Sequence, residues 1–241
     1  SFSLVAIDQI VNNAANMRSM SGGQFAVPIV FRGSSGMAGS LGATHSHRLE
    51  AWYAQVPGLT VVLPSTPADA KGLLKSAIRS DDPVVFIEHE VLYHEKGEIP
   101  DGEHLVPFGK ADVKRPGRDV TLITYSRSLK ATLAAAEQLA AEGIDAEVID
   151  LRTVRPLDID TLIESVVKTH RAVIVEEDWP YCGLGAGISD RITQRVFDEL
   201  DAPIRRVASK DAPIPYNRQL ENTMLPSVPR VVDAVHDVLY R

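Results

Sequence analysis

VTLITYSRSLKATLAAAEQLAAEGIDAEVID, residues 120–150, is the stretch whose reading decides the fold. It opens on a short apolar run, Val120 to Tyr125, and closes on another, Ala146 to Ile149. Between them lies an alanine-rich segment, Leu129 to Glu142, with Leu129, Leu133, Ala136 and Ala140 on one helical stripe. Gly143 follows, the residue type that most readily takes the left-handed turn ending a helix. Strand, helix, strand at this spacing implies parallel strands joined by a crossover helix.

The same alternation continues downstream. Ile159 to Lys168 predicts a helix, Ala172 to Glu176 a strand, Gly185 to Leu200 a long helix, Ile204 to Ala208 a strand, and Val228 to Tyr240 a closing helix. Together these make an α/β block with a mainly parallel sheet covered on both faces. Upstream, periodicity is lost from Tyr93 to about Pro116. That stretch carries Gly97, Pro100, Gly102, Pro107 and Pro116, a linker composition, although Leu105 to Val113 has the character of an edge strand. Before it stands a second α/β block. Phe2 to Met17 reads as an amphipathic helix, with Leu4, Ile7, Ile10, Val11 and Ala14 at helical spacing. Pro28 to Phe31, Thr60 to Leu63 and Val84 to Ile87 read as buried strands, and Pro67 to Arg79 as a helix with Thr66 as N-cap and Asp69 in its first turn. The expected division is residues 1–100, a linker at 101–116, and residues 117–241.

Composition narrows the classes. The 241 residues are 44% hydrophobic with net charge −7 and both signs interspersed, so no basic stripe is present to meet nucleic-acid phosphates. The single cysteine, Cys182, excludes an intrachain disulfide and fits a reducing compartment, either bacterial cytoplasm or an organellar matrix. No apolar run approaches the roughly 20 residues of a membrane span. The chain opens at Ser1, without Met or a signal peptide, directly in the first helical pattern.

Several segments have the character of sites. Gly33 to Gly42, GSSGMAGSLG, lacks the lysine of a phosphate-binding Walker loop and the G-x-G-x-x-G spacing of a dinucleotide loop. It reads either as a flexible surface loop or as backbone that approaches a ligand closely. His45 and His47 have no third ligand at metal spacing, so zinc is not expected. His45 reads either as a proton or hydrogen-bond donor at a loop-to-helix junction or as a surface histidine without a role. Asp150 to Asp158 and Glu176 to Trp179 each end a strand, where α/β ligands gather, although Arg152 and Arg155 are equally readable as ion-pair partners. Gly183 to Gly187 leads into a helix and reads more readily as close packing than as an anion site. No G-D-G…N motif and no complete catalytic set appears.

FSLVAIDQIVNNAANMRSMSGG, VPIVFRG, HSHRLEAWYAQVPGLTVVLPSTPADAKGLLKSAIR, PVVFIEHEVLY, EVIDLRTVRPLD, VEEDWPYCGLGAGI and DAPIPY follow one another along almost the whole chain. In this order they resemble the beta subunits of thiamine-diphosphate-dependent 2-oxo acid dehydrogenases of the pyruvate dehydrogenase type. The resemblance implies an incomplete pyrimidine-binding domain over residues 1–100 and a transketolase C-terminal-like domain over 117–241. It implies an alpha subunit in an α2β2 heterotetramer that holds the diphosphate and Mg2+, and a lipoyl acyltransferase core bound through its subunit-binding domain. The implied reaction is oxidative decarboxylation of pyruvate with reductive acetylation of the lipoyl group. EHEVLYHEKGE leans toward pyruvate over branched-chain 2-oxo acids or acetoin. A fragment serving only as a docking module is the alternative.

Residue by residue, Phe2 resembles the aromatic residue beside the cofactor's aminopyrimidine, and His45 the active-site histidine of the family string Q-H-S-Q, which here reads T-H-S-H. Thr44 and His47 depart from that string. A structural K+ is implied at Ile29, Ala77, Ile78, Ser80 and Asp82, largely through backbone carbonyls, which suit a hard alkali cation. Asp211 is implied as an acidic contact for the acyltransferase's basic surface. The glutamate that activates the cofactor in the family is expected ahead of Ser1.

Overall fold

A computed structural model describes residues 1–241. The strands, in chain order, are β1 (Val30–Ser34), β2 (Thr60–Val62), β3 (Val84–Glu88), β4 (Asp112–Arg115), β5 (Val120–Thr124), β6 (Ala146–Asp150), β7 (Thr153–Arg155), β8 (Ala172–Val175) and β9 (Arg205–Val207). The α-helices are α1 (Ala15–Met20), α2 (Glu50–Ala54), α3 (Pro67–Ile78), α4 (Ser128–Ala141), α5 (Ile159–Thr169), α6 (Leu184–Val196), α7 (Arg218–Met224) and α8 (Val228–Leu239).

Two compact units result. The first holds residues 1–110, 152–157 and 214–221, and the second 111–151, 158–213 and 222–241. Packing therefore does not divide the chain at one linker. The 101–116 stretch splits: Val106 is buried on α3, where Ser76 Oγ donates to its carbonyl at 2.7 Å, while 112–115 becomes edge strand β4 of the second unit.

The second unit is a five-stranded sheet in the order β4-β6-β5-β8-β9, parallel except for β4. Alternation along β5 assigns its two faces, as the pleat requires. Val120 and Leu122 join α4 and α8 residues in one apolar layer with Leu139, Val231 and Val235. Thr121 faces the opposite way, and its hydroxyl bonds Ser165 at 2.6 Å and Thr169 at 2.7 Å on α5. A buried threonine is tolerated there because its polar atom is fully partnered.

In the first unit the sheet order is β1-β3-β2-β7, with β1, β3 and β2 parallel and β7 antiparallel to β2. Helix α3 covers it as expected: Thr66 caps the helix by accepting from the Asp69 amide at 3.2 Å, and Leu73 and Ala77 enter the core. The opening segment differs from the uniform helix expected over Phe2 to Met17. Residues 2–6 wind as a 3-10 turn, 9–14 as π-helix, and only 15–20 as α-helix. Asn16 Nδ2 donates five residues back to the Val11 carbonyl at 3.0 Å, which suits the wider winding. Only Ile10, Ala14 and Ala15 of the run are buried, whereas Val5 is 91% exposed. Helix α2, strand β7 and helix α7 have no counterpart in the sequence-based expectations; all three are short.

Two glycines with positive φ separate conformational from steric need. Gly143 (φ +80) ends α4 with open space where a Cβ would go, whereas at Gly58 (φ +93) a Cβ would lie 2.1 Å from the Ala15 carbonyl oxygen. Gly143→Ala is expected to lower stability by about 1–2 kcal/mol. Gly58→Ala adds a backbone collision and is expected to cost clearly more, at least about 3 kcal/mol. Urea denaturation of the full chain measures both, and equal losses would contradict the steric account.

Candidate functional site

Parallel strands β1 and β3 deliver their carboxyl ends to one place. Arg32 on β1 grips Glu88 on β3 through two bonds of 2.8 Å, Nε to Oε2 and Nη2 to Oε1. The Tyr93 hydroxyl donates to the same carboxylate at 3.3 Å. Hydrogen bonding and charge from Glu88 raise the Arg32 pKa above its ordinary value; burial, with the Glu88 charge second, raises that of Tyr93.

From β1 the chain enters the glycine-rich loop, which is fastened rather than free. The Ser35 amide donates to the Glu88 carbonyl at 3.0 Å, and Ser35 Oγ and the Gly36 amide both donate to the His47 carbonyl, at 2.7 and 3.2 Å. Met37 is buried. Further along, the Gly39 and Ser40 amides donate to the Glu221 carboxylate at 2.9 and 2.5 Å. Positive φ at Gly36, Gly39 and Gly42 is what its glycines supply, with open space beside Gly39.

The loop ends in a single 3-10 turn, Ala43–His45. His45 is exposed; its Nδ1 lies 2.9 Å from Thr44 Oγ1, and its ring meets the Phe2 ring edge-on with centroids 5.1 Å apart. Phe2 and His45 are thus brought together from opposite ends of a 43-residue interval. A few residues along the chain, Arg48 and Glu50 form a fully buried ion pair at 2.5 Å. His47 points elsewhere, with Nδ1 3.1 Å from Ser1 Oγ, and burial lowers its pKa below the usual imidazole value.

Phe2 also lines a cavity of about 550 Å³ in the first unit, together with Ser3, Phe31, Arg32, Tyr53 and Phe86. The Tyr53 hydroxyl donates to Ser3 Oγ at 2.8 Å. A volume of this order accommodates an organic cofactor or substrate of moderate size.

None of the other expected site residues lines this cavity. The Ile29 carbonyl accepts from the Val84 amide at 2.9 Å, and Ala77, Ile78, Ser80 and Asp82 form the turn leaving α3. That turn is pinned by Ser80 N to the Ala77 carbonyl at 3.2 Å, by Ser80 Oγ to the Asp82 carbonyl at 3.0 Å, and by Val27 N to the Asp81 carbonyl at 2.8 Å. Asp211 is exposed on a turn of the second unit. Arg152 pairs with Asp69 at 2.8 Å, and Arg155 Nη1 donates to the Ala54 carbonyl at 2.8 Å, so both serve the first unit's packing.

Acidic residues at the end of β8 are structural. Glu176 is buried and accepts from Arg206 at 2.6 Å and from the Gly185 amide at 2.7 Å. Asp178 accepts from the Trp179 amide at 2.8 Å. A Cβ at Gly185 would come within 2.3 Å of Glu176, and one at Gly183 within 2.3 Å of the Trp179 carbonyl oxygen, so these two glycines allow close packing, while Gly187 borders open space. Glu221 and the Arg32–Glu88 pair were not identified from the sequence. Both depend on partners 56 or more residues away, for which no local pattern exists.

Residues 1–96 match the transketolase pyrimidine binding domain, and residues 109–231 match the transketolase C-terminal domain. A solved structure, "Split gene transketolase, inactive beta4 tetramer", superposes with a TM-score of 0.81 over 99% of this chain and 73% of its own, at 23% identity. Fold and matched domains thus define a transketolase-type α/β protein. The chain is 51% identical over 241 residues to "Pyruvate dehydrogenase E1 component subunit beta" of Rhizobium meliloti (strain 1021), covering all of this chain and 52% of the relative. It is 48% identical over 239 residues to the protein of the same name from Porphyra purpurea, covering 99% of this chain and 72% of the relative. The chain belongs to the family of pyruvate dehydrogenase E1 component beta subunits. It spans about half the length of the first of these relatives.

Proposed function

We propose that this chain acts with an alpha subunit, in an α2β2 heterotetramer, as a thiamine-diphosphate-dependent pyruvate dehydrogenase. In this reading pyruvate is oxidatively decarboxylated and the acetyl group passes to a lipoyl group of the acyltransferase core. The observation that carries the proposal is the edge-on meeting of Phe2 and His45, with Phe2 lining the cavity.

The cavity's aromatic lining suits the flat aminopyrimidine of thiamine diphosphate, with the exposed Phe2 ring supplying an apolar surface. Diphosphate and Mg2+ are assigned to the alpha subunit. When bound, the cofactor supplies the electron sink that makes loss of carbon dioxide from a 2-oxo acid feasible. With Nδ1 engaged by Thr44, His45 offers Nε2 as the atom that donates or accepts a hydrogen bond toward the 2-oxo acid or the incoming lipoyl group. Tests use the alpha–beta assembly. It is expected to turn over pyruvate in preference to 3-methyl-2-oxobutanoate, and His45→Ala is expected to lower kcat/KM for lipoyl-linked turnover by about 100-fold. Preference for the branched acid would overturn the substrate, and full activity of His45→Ala would overturn the role of His45.

The turn formed by Ala77, Ile78, Ser80 and Asp82, together with Ile29, is proposed to hold K+. Its carbonyls at Ile29 and Asp82 each accept a hydrogen bond, and a carbonyl oxygen has a second lone pair to offer a hard cation. Replacing K+ by choline at constant ionic strength is expected to lower Tm measurably. An unchanged Tm removes the site.

Asp211, exposed on its turn, is proposed to meet the basic surface of the acyltransferase's subunit-binding domain. Asp211→Lys in the assembly is expected to weaken that association at least about 10-fold, chiefly at low salt. Unchanged affinity in calorimetry would refute the contact.

A further inference from the structure

Glu221 is only 2% exposed and lies on the seven-residue helix α7, and the backbone partners of its carboxylate lie 181 and 182 positions away in sequence. Its two carboxylate oxygens are divided between consecutive backbone amides, Oε1 from Gly39 at 2.9 Å and Oε2 from Ser40 at 2.5 Å. Both residues have positive φ, 94° at Gly39 and 67° at Ser40. Serine in that region is strained relative to ordinary backbone. Two adjacent amides that donate to one carboxylate suit an anionic partner, because a charged acceptor strengthens both bonds.

The same short segment covers the loop a second time. The Tyr216 ring lies 3.4 Å from where a Cβ at Gly42 would stand, and Gly42 immediately precedes the Ala43–His45 turn. At its other end the loop is held by Ser35 and Gly36 on the His47 carbonyl. Four residues lie between Ser40 and His45, so the two bonds to Glu221 anchor the loop close to the turn that carries the histidine.

We infer that Glu221 is a positioning residue: its carboxylate fixes the Gly39–Ser40 turn and thereby the placement of His45 against Phe2. This rests on the reading of His45 given above. A carboxylate is required rather than any polar group of its size. Glutamine presents one oxygen and one amino group, and the amino group would confront a backbone N–H instead of accepting from it.

The test is a double-mutant cycle in the alpha–beta assembly, combining Glu221→Gln with His45→Ala. Displacement of a reacting group by about 1 Å costs on the order of 100-fold. Glu221→Gln alone is therefore expected to lower kcat for lipoyl-linked turnover by about 10- to 100-fold, with KM for pyruvate little changed. In the His45→Ala background the same substitution is expected to change kcat less than about 2-fold, because the residue it positions is gone. A purely structural role gives the same fractional loss in both backgrounds and overturns the inference, as does an unchanged kcat in Glu221→Gln.

Hydrogen exchange read by mass spectrometry supplies a measurement independent of turnover. Exchange of the peptide containing the Gly39 and Ser40 amides is expected to quicken at least about 10-fold in Glu221→Gln. Unchanged exchange also overturns the inference. If the wild-type assembly turns over no 2-oxo acid, the functional reading fails while the exchange result still decides the contact. Where Glu221→Gln does not fold, Glu221→Asp, which keeps the charge but shortens the reach, is carried through the same cycle with the same expectations.

Discussion

Backbone amides in the loops of a buried α/β sheet must find acceptors, and here buried carboxylates supply many of them. Glu221 takes the amides of Gly39 and Ser40, and Glu176 that of Gly185. Asp178 takes that of Trp179, and Asp158 that of Ala111. A carboxylate can satisfy two donors at once, and a charge-assisted bond to an amide is shorter and stronger than a neutral one. The burial cost of each charge is met only if its oxygens are used, and at Glu176 the Arg206 guanidinium completes the set. Loop shape in both units therefore depends on acids placed by distant elements.

This changes the meaning of the chain's acidity. A net charge of −7 suggests a solvated, negatively charged surface. Yet Glu50, Asp69, Glu147, Asp150, Glu176, Glu177, Asp178 and Glu221 are all buried. Part of the acid content is internal scaffolding: Glu50, Asp69 and Glu176 pair with arginines, Glu147 with Lys168, and Asp178 and Glu221 accept from backbone amides.

How much was legible in the sequence follows from the range of the interactions. Strands β5, β6 and β8 and helices α3, α4, α5 and α8 were read within a few residues because burial writes its period locally. The Thr66 cap was legible for the same reason: donor and acceptor lie three residues apart. Strand β7 was not, since its three residues are strand only by pairing with β2, about ninety positions earlier. Nor was the return of residues 214–221 to the first unit, or the Arg32–Glu88 pair. Phe2 and His45 carried no pattern linking them, and only likeness to a family brought the two into one site.

Two departures from the family string, Thr44 and His47 in place of glutamines, are resolved differently by the geometry. At position 47 the fold uses the carbonyl, which accepts from Ser35 Oγ and the Gly36 amide, so the loop is clasped whatever the side chain. At position 44 the side chain itself is in use: Thr44 Oγ1 lies 2.9 Å from His45 Nδ1. A threonine hydroxyl both donates and accepts, so it can partner either tautomer of the neighbouring imidazole. Fixing Nδ1 orients the ring, just as the edge-on contact with Phe2 does from the other side. With the ring held by Thr44 and Phe2, and its turn held from one side by Ser35 and Gly36 and from the other by Glu221, an exposed histidine on a glycine-rich loop acquires a fixed geometry.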